Sequence, residues 1–118
     1  MGNPVMFFEI AGKNGEELCE FYSSIFDWEV SPETNNVHMC NTGSEEGIQG
    51  IIFPTTDDMP STNHVTFYIS VEDLEASVAK VESNGGKIII PPTEIPGGMG
   101  SFAWFADPGG NLIGLHKQ

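Results

Sequence analysis

Residues 64–81 read HVTFYISVEDLEASVAKV, and their reading decides the fold. His64 to Ile69 is rich in β-branched and aromatic residues and predicts a strand. Ser70, with Asp73 three places on, predicts a helix N-terminus, and Leu74, Val78 and Val81 recur at helical spacing as the buried stripe. Asn84-Gly85-Gly86 supplies the left-handed stop. The same order stands earlier in the chain. Val5 to Ile10 predicts a strand leading into the loop Ala11-Gly12-Lys13. Asn14 is the candidate N-cap with Glu17 three places on, and Leu18, Phe21, Tyr22 and Ile25 form a stripe through Phe26. Asn14, Glu17, Leu18, Tyr22 and Ile25 map onto Ser70, Asp73, Leu74, Val78 and Val81 with one offset of 56 positions.

Each helix is followed by short extended pieces. They lie at Trp28 to Val30, Val37 to Cys40 and Ile48 to Phe53, and again at Lys87 to Ile90, Phe102 to Ala106 and Leu112 to His116. Pro54 to Asn63, with its prolines, Ser/Thr and Asp, breaks the periodicity and reads as a linker. The expected fold is therefore α+β, a single domain over 1–118. It has two βαβββ modules, about 1–54 and about 64–118, around a linker at 55–63. Each module exposes one sheet face that it cannot bury alone, so an open curved sheet or barrel around a small-molecule cleft is expected.

Charge limits what such a cleft can take. The formal net charge is −13, with Lys13, Lys80, Lys87 and Lys117 as the four cations and no arginine. Nucleic-acid binding, which needs cations to neutralise phosphates, is excluded. Without a guanidinium fork, phosphates and polycarboxylates are poorly served, and a neutral, aromatic or cationic ligand is favoured. No run of about 18 apolar residues offers a membrane span, and Met1-Gly2-Asn3-Pro4 lacks a signal-peptide pattern, so a cytoplasmic location away from membranes is expected. There Cys19 and Cys40 would be free thiols, read as small buried hydrophobes. His38 and Cys40 also share a strand face and could offer an imidazole and a thiolate to a metal.

Several stretches together resemble the vicinal oxygen chelate superfamily, which includes glyoxalase I, extradiol dioxygenases, fosfomycin-modifying enzymes and bleomycin-resistance proteins. They are Phe8-Glu9-Ile10, Phe21-Tyr22-x-x-Ile25-Phe26-x-Trp28, Tyr68-Ile69-x-Val71-x-Asp73 and Gly85-Gly86. Pro91-Pro92, Ile95-Pro96-Gly97 and Asp107-Pro108-Gly109-Gly110-Asn111 complete the set. The resemblance implies paired βαβββ modules, frequent homodimers, and a divalent metal held by His and Glu on four cleft-facing strands. Carried onto this chain by register, the four ligand positions fall at Phe7, near Gly50, at Thr66 and at Gly114. Phenylalanine and glycine cannot ligate and threonine is a poor ligand, so no cofactor is expected at the usual place. Glu9, His64 and His116 each lie two residues from an expected position, which leaves a displaced metal site to weigh. Against it stands a metal-free cleft lined by Phe7, Glu9, Gly50, His64, Thr66, Tyr68, Trp104 and Gly114.

Gly97 to Ser101 lacks the strand-to-helix context of a phosphate loop and reads as a connection over the cleft mouth. Asp107-Pro108-Gly109-Gly110 has turn chemistry. No Ser or Cys stands in a sequence context that points to activation by a neighbouring base. The leading expectation is a metal-independent small-molecule binding protein, homodimeric. A metal-dependent lyase or dioxygenase using the displaced ligands, and a regulatory or interaction module, are the alternatives.

Overall fold

In the computed structural model, which describes residues 2–118, the α+β class and the βαβββ order hold in both halves. The elements are β1 (Val5–Gly12), α1 (Gly15–Phe26), β2 (Glu29–Val30), β3 (His38–Asn41), β4 (Gln49–Pro54) and β5 (His64–Ser70). They continue as α2 (Leu74–Ser83), β6 (Lys87–Glu94), β7 (Ser101–Ala106) and β8 (Leu112–Lys117). Contacts group the chain into two units, Phe7–Val65 and residues 2–6 with Thr66–Gln118.

Within Phe7–Val65 the strand order is β2-β3-β4-β1, with β4 parallel to β1 and the other pairs antiparallel. Within the other unit the order is β5-β8-β7-β6, with β8 parallel to β5 and the rest antiparallel. Each unit thus returns its last strand alongside its first, which places residues distant in sequence side by side. No helix among the described residues is long and apolar enough to cross a membrane.

The capping chemistry corrects the repeat. Asn14 caps α1 as expected, its side chain accepting from Glu17 N at 3.0 Å. The cap of α2 is Asp73 rather than Ser70, with the carboxylate accepting from Ala76 N at 3.0 Å. Ser70 and Val71 stay out of the helix because Ser70 N donates to Pro4 O and Val71 N to His116 O, both at 2.9 Å. The structural offset is therefore 59, and the inward positions obey it: Gly15, Leu18, Cys19 and Tyr22 correspond to Leu74, Ser77, Val78 and Val81. Phe21 and Ile25, expected in the stripe, lie on the solvent side at 55% and 53% exposed. In the second unit Leu74, Ala103 and Leu115 form the core, with Ile69, Val71, Val78, Val81 and Phe105 packed on it. Full burial of a leucine such as Leu74 or Leu115 is worth roughly 1.5–3 kcal/mol.

Two strands run longer than their composition predicts. Ladder pairs Ala11↔Phe53 and Gly12↔Pro54 carry β1 through its expected loop. β6 continues through Pro91-Pro92 to Glu94 by shifting register twice against β7. Its place at the end of the order tolerates prolines that cannot donate to a ladder.

Candidate functional site

Alternation along the strands of Phe7–Val65 sorts the predicted residues onto two faces. Phe8, Ile10, Gly50, Ile52, His38 and Cys40 face α1: the Phe8 ring lies 5.5 Å from Trp28, which stacks on Tyr22 of the helix at 5.4 Å. Phe7, Glu9, Gln49 and Ile51 occupy the opposite face. Gly50 is therefore off the face assigned to it, and a Cβ added there would run into the Phe8 ring. The corrected repeat locates the intended residue. Glu9 corresponds to Tyr68 at the offset of 59, Tyr68 pairs with Gly114 and Glu9 pairs with Ile51, so the counterpart of Gly114 is Ile51.

The structure brings Glu9 and His64 together. Glu9 is 2% exposed although it is a carboxylate, and its Oε2 lies 2.5 Å from His64 Nε2. The side chains of both are almost entirely enclosed. On the other edge of the imidazole, Nδ1 lies 2.9 Å from Ser61 Oγ. Ser61 is half-buried in the segment 55–63, which is tied back where Thr55 N donates to Gly12 O at 2.9 Å and Thr55 Oγ1 to Thr62 O at 2.7 Å. Carboxylate, imidazole and hydroxyl form one hydrogen-bonded chain. Sequence reasoning missed Ser61, whose only signal is its place three residues before a histidine on an irregular stretch.

In the unit formed by residues 2–6 and Thr66–Gln118, the face turned away from α2 carries Thr66, Tyr68, Phe102, Trp104, Gly114 and His116. Tyr68 and Trp104 are buried, and the indole Nε1–H donates to the phenol oxygen at 2.7 Å. Phe102 meets Trp104 edge-on at 6.3 Å between centroids. The Tyr68 ring lies over Gly114 so closely that a Cβ at Gly114 would run into it. Thr66 Oγ1 donates to Leu112 O at 2.5 Å. His116 Nε2 donates to Met99 O at 2.8 Å and Gln118 Nε2 to Gly98 O at 3.2 Å, which pins the glycine loop to β8.

Both thiols are shifted away from the thiolate form. Burial, and then the neighbouring Cys19, push the Cys40 thiol up to about 11, and burial with Glu16 nearby raises Cys19. Both stay protonated at neutral pH. Cys40 faces α1 beside His38, whose Nδ1 is bonded to Ser31 O at 2.9 Å.

The model of the Glyoxalase/Bleomycin resistance protein/Dioxygenase superfamily matches residues 5–115. The chain belongs to this superfamily. It is 28% identical over 109 residues to a glyoxylase-like domain-containing protein of Didymella fabae, covering 87% of this chain and 84% of that one. To CFP32 of Mycobacterium bovis it is 33% identical over 82 residues, 70% of this chain and 30% of that protein's length. Among solved structures, a hypothetical protein of Bacillus halodurans superposes with a TM-score of 0.71 at 15% identity, covering 100% of this chain and 96% of that one.

The divalent metal that glyoxalase-superfamily resemblance implies does not fit these residues. At the four corresponding positions the chain offers a phenyl ring, an isoleucine, a threonine hydroxyl committed to a carbonyl, and a glycine under a tyrosine ring. None supplies the carboxylate or imidazole such ions need. Of the displaced set, Glu9 and His64 bond each other within Phe7–Val65, and His116, in the other unit, donates to Met99 O.

Proposed function

We propose that this chain is a member of the glyoxalase/bleomycin-resistance superfamily that binds a small organic molecule without a divalent metal, as a cytoplasmic homodimer. The observation that carries the reading is the Tyr68 ring lying over Gly114 and held by the Trp104 indole. Where a metal-dependent relative would need a ligating side chain, this chain has an aromatic wall extended by Phe102. Such a wall favours a planar ligand by stacking. A charge of −13 without arginine favours a neutral or cationic one. Glu9, His64 and Phe7 supply the polar and apolar contacts on the first half's own helix-distal face.

Metal analysis of the purified protein, with a thermal-shift screen over divalent ions and over neutral and cationic aromatic compounds, tests the reading. The expected result is substoichiometric metal, no shift with divalent ions, and stabilisation by an aromatic compound. A ligand at 100 times its Kd adds about 2.7 kcal/mol. Stoichiometric metal that disappears in both Glu9→Ala and His64→Ala would overturn the reading in favour of a metal-dependent lyase or dioxygenase. No shift with any compound would favour an interaction module. Sedimentation analysis separates dimer from monomer.

A further inference from the structure

The line Glu9–His64–Ser61 calls for a use that ligand binding does not require. A buried carboxylate bonded to one nitrogen of an imidazole, with a hydroxyl on the other, is the arrangement that turns a serine into a nucleophile. In the tautomer that carries its proton on Nε2, His64 donates to Glu9 Oε2 at 2.5 Å and turns its Nδ1 lone pair to Ser61 Oγ at 2.9 Å. Two features hold the hydroxyl there. The imidazole is enclosed and tethered by Glu9, and the adjoining Thr62 carbonyl is gripped by Thr55 Oγ1 at 2.7 Å. Ser61 itself is only half-buried, so a reagent can reach it. The hydroxyl also has an alternative acceptor, Asn63 O at 3.1 Å.

We propose that Ser61 is an acyl-accepting nucleophile with His64 as its general base and Glu9 as the positioning residue, acting on neutral or cationic aryl esters. Ser61 Oγ bonds the ester carbonyl carbon as its proton passes to His64 Nδ1. The bond to the aryloxide breaks, and the aryloxide takes that proton and leaves as the phenol. Water then gives a proton to Nδ1 and its oxygen to the acyl carbon; the acid departs and Ser61 Oγ recovers its proton. The ring nitrogens are used in the reverse sense from the serine hydrolases, because a serine three residues before its histidine meets the near nitrogen, Nδ1. The negative chain disfavours anionic esters.

The full chain is incubated with an aryl fluorophosphonate and mapped by intact and peptide mass, in parallel with 4-nitrophenyl acetate hydrolysis. One adduct on Ser61 is expected, absent in Ser61→Ala, whose circular dichroism matches the parent. His64→Gln and Glu9→Gln lower labelling and hydrolysis by at least about 100-fold, and Glu9→Asp restores part of the loss. No adduct, an adduct elsewhere, or unchanged hydrolysis in Ser61→Ala overturns the proposal and leaves the hydroxyl bonded to Asn63 as a loop tie. Should Glu9→Gln fail to fold, the Ser61→Ala comparison decides alone. Ligand-induced thermal shifts of the parent chain, which report on the Tyr68–Trp104 wall, are read separately from the labelling of Ser61.

Discussion

Substituting Gly114 by alanine tests the packing on which the metal-free reading stands. Gly114 lies on β8 opposite Tyr68 of β5 and Trp104 of β7, and its missing side chain is the space the Tyr68 ring occupies. A methyl group there forces the ring to tilt or the strands to part, which costs about 1–3 kcal/mol in a packed interior. If the ring tilts, the 2.7 Å bond from Trp104 Nε1 to the phenol oxygen lengthens or breaks, adding about 1 kcal/mol. Gly114→Ala should therefore lower unfolding free energy by about 2–4 kcal/mol, a large share of the roughly 5–15 kcal/mol a domain has. The decisive measurement is a cycle. In a Tyr68→Val background the same glycine change should cost less than about 1 kcal/mol, giving a coupling of about 1–3 kcal/mol. Urea unfolding followed by tryptophan fluorescence provides all four corners. If Gly114→Ala is neutral, or costs the same in the Tyr68→Val background as in the parent, the ring is not what excludes a side chain at this position and the reasoning fails.

Three further outcomes follow from the geometry. Removing one partner of the enclosed pair, by Glu9→Ala or His64→Ala, leaves the other buried without its hydrogen bond and should cost about 1–3 kcal/mol in urea unfolding, whereas replacing both together should cost less than the sum. The folded state raises the Cys40 thiol from 9.0 to about 11, so its stabilising effect is complete below pH 9 and is lost as pH rises towards 11; an alkaline loss of about 2–3 kcal/mol should be absent in Cys40→Val. Asn14→Ala and Asp73→Ala should each cost about 0.5–2 kcal/mol by thermal unfolding, while Ser70→Ala should change stability by less than about 0.5 kcal/mol because the cap is elsewhere.

Class, element order and repeat are readable because alternation, helical spacing and Asn14 as a cap are local signals. The offset misleads for a physical reason. Ser70-x-x-Asp73 looks like a capping box, but Ser70 and Val71 give their amides to Pro4 and His116, so Asp73 becomes the cap. That tertiary competition cannot be seen in eighteen consecutive residues. An α1 stripe containing Phe21 and Ile25 satisfies helical spacing equally well, and only the strands beneath select Leu18, Cys19 and Tyr22. At the candidate site Glu9 and His64 are legible as polar residues on apolar strands, and their mutual bond is not. Counting along the chain puts Gly50 one residue off its face, because the count takes no account of the pairing partner, Phe8. Ser61 carries no motif at all: its role arises from a turn that swings the hydroxyl onto a histidine whose other edge is held by a residue 55 positions away.

The ring over Gly114 also bears on which sequences lie within mutational reach of this one. A single nucleotide separates a glycine codon of the GGA or GGG type from glutamate, so a ligating residue at position 114 is one step away on paper. In the folded chain that step meets the Tyr68 ring, and its clash must be relieved by first shrinking a tyrosine that Trp104 holds in place. The intermediate with the smaller residue at 68 would carry a cavity beside Trp104 and a cost of about 3–5 kcal/mol with no compensating metal. The two changes are thus worth more together than in either order, and a pair of neighbours on adjacent strands keeps the path to that ligand steep from both sides.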